Sequence, residues 1–219
     1  MERTLEIVAR EAADCPRCRL AGSRTQVVFG VGHPTADLMF IGEAPGFHED
    51  KQGEPFVGAA GQLLNQLLSE IEIPRSDVYI NNVILCRPPG NRDPLPDEIE
   101  ACRPYLEGQL GFIDPAVVVT LGNFATKLLS GKPTGITRVH GVPQQVTLGG
   151  NAVTLYPLYH PAAALYTRSM LSVLEQDFAR IPELLGRAAA APAPTAAAVP
   201  EPVAEPERSL QPAVQLGLF

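Results

Sequence analysis

Apolar positions along the chain switch between a helical period and short unbroken runs, and the switches outline the fold. Leu5, Val8, Ala9 and Ala12 recur at helical spacing and predict a short helix over residues 2–14. The run 36–41 is short enough for one buried strand. From Gly58 to Ile73 the stripe Leu63, Leu64, Leu67, Leu68 and Ile71 marks the clearest helix, ended by Pro74. Residues 77–85 read as a second buried strand containing Asn81 and Asn82, and a helix carrying Cys102 starts near Pro96-Asp97. A third strand, 116–121, closes at Gly122 and leads to a short helix over 123–130. Residues 136–157 alternate around Gly149-Gly-Asn151, predicting a hairpin, and a final helix spans about 170–187. This order predicts an α/β protein whose mainly parallel sheet is covered on both faces.

The 219 residues suit one domain with a tail. A hydrophobic fraction of 45% and a charged fraction of 19% are those of a soluble globular protein. No apolar run approaches the roughly 20 residues of a membrane span, and the amphipathic start lacks a signal-peptide core, so a cytoplasmic location is expected. From 188 to 214 the chain holds 10 alanines and 6 prolines and reads as a flexible linker to the apolar end Gln215-Leu-Gly-Leu-Phe219. The formal charge of -7 argues against bulk attraction to nucleic acid. Any DNA binding must use a local basic patch, for which Arg87, Arg92, Arg103, Arg138 and Arg168 are the candidates.

The chemistry is expected where the first strand ends, at Phe40-Ile-Gly-Glu-Ala-Pro-Gly46 and on to Phe56-Val-Gly58. Gly42 and Gly46 permit a tight exit that holds Glu43 at the strand's carboxyl end, with Glu49 six residues on. Open α/β sheets place their ligands there. Four cysteines form a second constellation: Cys15 and Cys18 in a C-x2-C pair, then Cys86 and Cys102. Such a set favours a four-thiolate site, and its spacing alone leaves an iron–sulfur cluster, zinc and inert buried thiols all open.

Taken in order, Cys15-x2-Cys18, Gly42-Glu-Ala-Pro-Gly46, Gly53-Glu-Pro-Phe-Val-Gly58, Asn81-Asn82 with Cys86-Arg-Pro-Pro89, Cys102 and His160-Pro-Ala162 resemble the family-4 uracil-DNA glycosylases. The resemblance covers roughly residues 10–185 and implies a three-layer α/β/α fold over a domain of residues 1–187. It implies a [4Fe–4S] cluster on Cys15, Cys18, Cys86 and Cys102, and removal of uracil from single- or double-stranded DNA by a monomer. Ala44, Phe56 and Asn82 correspond to the uracil-binding residues, Phe56 by stacking and Asn82 by reading the base edge. Asn81 competes for that last role, because adjacent strand residues face opposite ways. His160 matches the donor to uracil O2, Glu49 the residue linked to the attacking water, and Glu43 its neighbour in the pocket. Leu165 is placed to wedge into the base stack, with Arg87 and Arg168 against the backbone.

Two positions depart from the family pattern. Tyr166 stands where an arginine is usual, and His140 stands where arginine is common before the glycine. Certain cluster-bearing relatives trap uracil-DNA through a histidine in an insert after the second strand; the segment from Arg87 to Pro94 has neither. Residues 215–219 resemble the bacterial sliding-clamp binding peptide, which implies a replication-clamp partner at the end of the linker.

Overall fold

The computed structural model describes residues 4–186, so the linker 188–214 and the peptide 215–219 lie outside the described residues. Helix α1, Leu5–Ala13, begins at Thr4, whose hydroxyl accepts from the Ile7 N–H, and buries Val8 and Ala12. Strands β1 (Val31–Gly32), β2 (Leu38–Gly42), β3 (Tyr79–Asn82), β4 (Val117–Leu121), β5 (Gln144–Leu148) and β6 (Asn151–Leu158) form one sheet in the order β1-β3-β2-β4-β6-β5. The inner four are parallel, while β1 and β5 run antiparallel at the two edges.

Both faces of the inner strands are buried, which is why they read as continuous apolar runs. On one face Met39, Ile41, Val118 and Leu155 pack against α1, α4 (Pro96–Ile113) and α5 (Asn123–Ser130). On the other, Phe40, Val117, Val119 and Tyr156 meet α3 (Ala59–Glu70) and α8 (Arg168–Phe178), with Phe40 stacked on Phe178 at 5.8 Å between centroids. The result is the three-layer α/β/α sandwich. Leu64 and Leu67 are wholly buried, and each such side chain contributes about 1.5–3 kcal/mol.

Several boundaries differ from expectation for local reasons. Residues 136–143 are not strand: Ile136–Val139 is a single helical turn, α6, and Gly141 at φ 68 with Pro143 delays the hairpin to Gln144. The last helix is broken, because Pro182 cannot donate to Phe178 O. It ends at Phe178, and a short α9, Ile181–Leu184, follows. The two-residue β1, the short α2 (Phe47–Gln52) and the single turn α7 (Pro161–Ala164) carry too few residues to show a period.

The chain crosses from one side of β2 to the other between β3 and β4. Around that reversal the carboxyl ends of the parallel strands gather Glu43, Asn82, Gly122 and His160. Open sheets form their crevices at such a point.

Candidate active site

The loops leaving β2, β3 and β6 enclose a cavity of about 460 Å³ whose wall includes Glu43, Ala44, Glu49, Phe56, Asn82 and His160. Register explains how residues far apart in sequence meet here. Gly42 lies opposite Asn82 in the parallel β2–β3 pair. A Cβ on Gly42 would overlap both Asn82 Oδ1 and the Phe56 ring, so glycine is what lets the amide and the aromatic come together.

The sheet's alternation separates the two asparagines. Asn82 is buried in the cavity wall, whereas Asn81 Nδ2 donates to Gln109 Oε1 of α4 at 2.6 Å on the opposite face. Asn81 Oδ1 is buried without a partner among the described residues.

Phe56 is held in the left-handed region at φ 55, a conformation a bulky residue adopts only under tertiary constraint. The constraint is α3, whose Gly61 lies so close to the Phe56 carbonyl that no side chain fits between them. The Phe56 ring in turn stacks on His160, with centroids 5.6 Å apart and 24° between planes. Glu49 accepts from the Val57 and Gly58 N–H groups, both at 3.1 Å, through Oε1 alone. It thereby caps the N-terminus of α3, which Gly58 cannot do for itself.

The electrostatics favour neutral groups. Desolvation pushes the His160 imidazolium down to about 4, with Glu49 opposing weakly, although part of the ring stays open to the cavity. The Ala162 N–H donates to His160 Nδ1 at 3.1 Å, which leaves the ring proton of the neutral form on Nε2. Burial raises the Glu43 carboxyl above its usual range, with Asp93 adding to the effect.

Pro88, Asn91 and Arg92 complete the wall, a contribution hidden from the sequence because it depends on how the loop after β3 folds back. Arg92 makes two bonds, at 2.6 and 2.8 Å, to Glu98, whose side chain is fully buried and also accepts from the Leu95 N–H. The acidic Glu98 three residues into α4 was the available signal. Of the five basic candidates, Arg92 and Arg103 are paired with Glu98 and Glu100. Arg87 Nε donates to Asn91 Oδ1 at 2.7 Å, Arg138 is exposed on α6, and Arg168 opens α8 on the surface. Leu165 is 38% exposed and Tyr166 91% exposed, both outside the cavity. His140 is turned inward onto Asp177 at 2.9 Å.

Cys15, Cys18, Cys86 and Cys102 line one narrow cavity between the N-terminal arm and α4. None is in a disulfide. Burial pushes the Cys86 thiol up and the Cys102 thiol up to about 12. Arg24 brings a positive charge to the group, donating to Cys15 O at 2.8 Å and to Cys86 Sγ at 3.6 Å. No set of three or more His, Cys, Asp or Glu side chains among the described residues closes around a single metal ion.

A family model described as the uracil DNA glycosylase superfamily matches residues 29–182. The chain belongs to that superfamily. Among its relatives, a type-4 uracil-DNA glycosylase of Sulfurisphaera tokodaii is 47% identical over 83% of this chain and 84% of its own length. Type-4 uracil-DNA glycosylases of Archaeoglobus fulgidus (46% identical, over 84% of this chain and 94% of the relative) and Saccharolobus solfataricus (45%, over 83% and 86%) are similar to the same extent. The superfamily match spans every strand of the sheet and the whole wall of the cavity. Cys15 and Cys18 lie ahead of it, within the arm that α1 anchors against α4.

Proposed function

We propose that this protein is a monofunctional uracil-DNA glycosylase of type 4, which flips uracil out of DNA and hydrolyses its N-glycosidic bond to leave an abasic site. The observation that carries this reading is the conjunction, in one cavity of a superfamily member, of an aromatic face, a buried amide and a neutral histidine. Phe56 offers the flipped base a π surface, with the Ala44 backbone segment beside it, and stacking of this kind contributes about 1–3 kcal/mol. The Asn82 amide pairs with uracil O4 and N3–H together, a combination cytosine cannot offer because an amino group replaces O4.

As the C1′–N1 bond breaks, its electron pair passes to the uracil ring and gathers partly at O2. The Nε2–H of neutral His160 stabilises that charge more in the transition state than in the ground state. Water adds to C1′, oriented by Glu49 Oε2, the carboxylate oxygen not engaged with α3. The proton it loses passes to that carboxylate, and the departing uracil anion is protonated from solvent. Glu43, its proton held more firmly by burial, shapes the adjoining wall. Among the described residues no lysine lines the cavity, in keeping with the hydrolysis proposed rather than Schiff-base chemistry.

Cys15, Cys18, Cys86 and Cys102 are the ligand set for a [4Fe–4S] cluster. The donor chemistry fits: four thiols and two arginines, Arg17 and Arg24, line one cavity, and four thiolates are the ligand set of such a cluster. The cluster supplies a structural cross-link between the N-terminal arm and the 86–102 segment. Leu165 enters the base stack from its exposed turn, and Arg87 and Arg168 contact phosphates. Residues 215–219 bind a replication sliding clamp, tethered by a linker reaching about 30 Å. The protein acts as a cytoplasmic monomer on the nucleoid.

The deciding experiment is incubation with a labelled uracil-containing oligonucleotide followed by alkali. Alkali-dependent cleavage at the uracil is expected; cleavage without alkali, or none, rejects the assignment. For the tail, clamp affinity is compared between the full chain and one ending at Val214, and equal affinities reject the tether.

A further inference from the structure

Phe47 opens α2 at the rim of the cavity, one residue beyond the lining Gly46, and half of its surface, 50%, is exposed. Two cations attend its ring. The Arg87 guanidinium carbon lies 5.2 Å from the ring centroid and Lys51 Nζ lies 5.9 Å from it. Arg87 is fixed in turn by its Nε bond to Asn91, which lines the cavity, and among the described residues its two Nη groups donate to nothing. Phe47 belongs to neither core cluster of the described residues. Besides the two cations its ring meets His48, edge-on with centroids 5.5 Å apart, and an exposed aromatic gains little from burial.

We infer that Phe47, Arg87 and Lys51 form a landing platform for an unpaired nucleotide next to the flipped uracil, so that the protein prefers single-stranded or locally opened DNA. The inference rests on the glycosylase reading for which nucleotide occupies the cavity, but the platform itself needs only a single strand. Both cations lie over the half-exposed ring. Such an aromatic–cation cluster binds single strands without regard to sequence, a base stacking on the ring or the guanidinium plane and the cations meeting its flanking phosphates. In paired DNA the neighbouring base stays stacked in the helix and cannot reach the ring. A chain of net charge -7 has no general attraction for DNA, so a local device of this kind has a large share of single-strand affinity to supply.

The test compares full-length wild type with Phe47→Ala, Phe47→Trp and Lys51→Ala. Fluorescence anisotropy measures binding to a uracil-free single strand and to the matching blunt duplex. Phe47→Ala should weaken single-strand binding roughly tenfold, with a much smaller effect on duplex, while Phe47→Trp retains the wild-type preference. Lys51→Ala should weaken single-strand binding and flatten its salt dependence by about 0.7 of a unit of slope, the share of one phosphate contact on a single strand. A 2-aminopurine beside a uracil analogue should change its emission on binding wild type but not Phe47→Ala. Equal losses on single strand and duplex, or unchanged single-strand affinity in Phe47→Ala at wild-type melting temperature, overturn the platform. A wild type that binds single strands in this way yet releases no uracil would refute the glycosylase reading and leave the platform standing.

Discussion

The cavity at the strand ends and the cysteine cavity are shaped by the same force to opposite effect. Desolvation holds His160 neutral in one and holds Cys86 and Cys102 as thiols in the other. In the first, neutrality is the working state of the proposed mechanism, which uses an uncharged imidazole with its proton on Nε2 as the donor. In the second it is the wrong state for the proposed cluster, because iron binds thiolate. Arg24 at Cys86 and the Leu85 backbone at Cys102 work against that neutrality, and Arg17 lines the same cavity. The first site is built from the chain's own side chains, whereas the second, on the proposed reading, would be completed by a cluster. The segment from Asn82 to Cys102 serves both. Asn82, Pro88, Asn91 and Arg92 face the first cavity, while Cys86 and Cys102 face the second.

The contrast breaks most readily on the cysteine side. Cys102→Ser should cut iron content and soluble yield together, since the site depends on a ligand the protein cannot replace. A variant that lost iron but kept its melting temperature and DNA affinity would show that the arm needs no cross-link. On the other side, His160→Ala and Asn82→Ala should fold normally. Each should lose about 10²–10³ in single-turnover uracil release, the cost of one transition-state donor. Near wild-type rates in both would place the chemistry elsewhere.

The His160 shift gives the pocket a stability signature of its own. Its folded pKa, about 4, lies below the ordinary value of 6.5. Above pH 6.5 neither state is protonated and no penalty exists. As pH falls toward 4, the unfolded chain takes up a proton that the native ring refuses, and stability drops by at most about 3 kcal/mol. Glu43, raised in the fold, acts in the opposite sense near its own range. Melting temperatures across pH 4–7 should therefore decline more steeply for wild type than for His160→Gln; parallel curves would mean that the ring titrates normally. The smallest effect should come from the strap between the sites. Glu98→Ala removes the buried acceptor of Arg92 and of the Leu95 N–H, for about 1–3 kcal/mol of stability in denaturant titration. A change within error would mean that the loop's own turns hold it.

Much of this was readable from the residues alone because the parallel strands are buried on both faces and announce themselves as apolar runs. The motifs around Glu43, Phe56, Asn82 and His160 then fell at strand ends or in the loops beyond them. Telling which of Asn81 and Asn82 lines the cavity needed the sheet's register, which no local pattern encodes; Asn82, opposite Gly42, does, and Asn81 faces Gln109. The helical turn at Ile136–Val139 was misread as strand because its alternation is too short to distinguish the two periods. The hold of Arg92 on Glu98 was invisible for a different reason. A positive charge in a Pro-rich loop looks free for DNA until the loop's path is known.

Gly61 carries a consequence for anyone who sets out to engineer this protein. By helix propensity alone, alanine at an interior position of α3 would be a safe gain of about 1 kcal/mol. Here the added methyl would run into the Phe56 carbonyl, and relief could come only by tilting the helix or by moving the residue on which the flipped base is proposed to stack. A stabilisation campaign guided by propensity tables would thus select against catalysis at this one residue, and a thermal screen without an activity assay would not detect the loss.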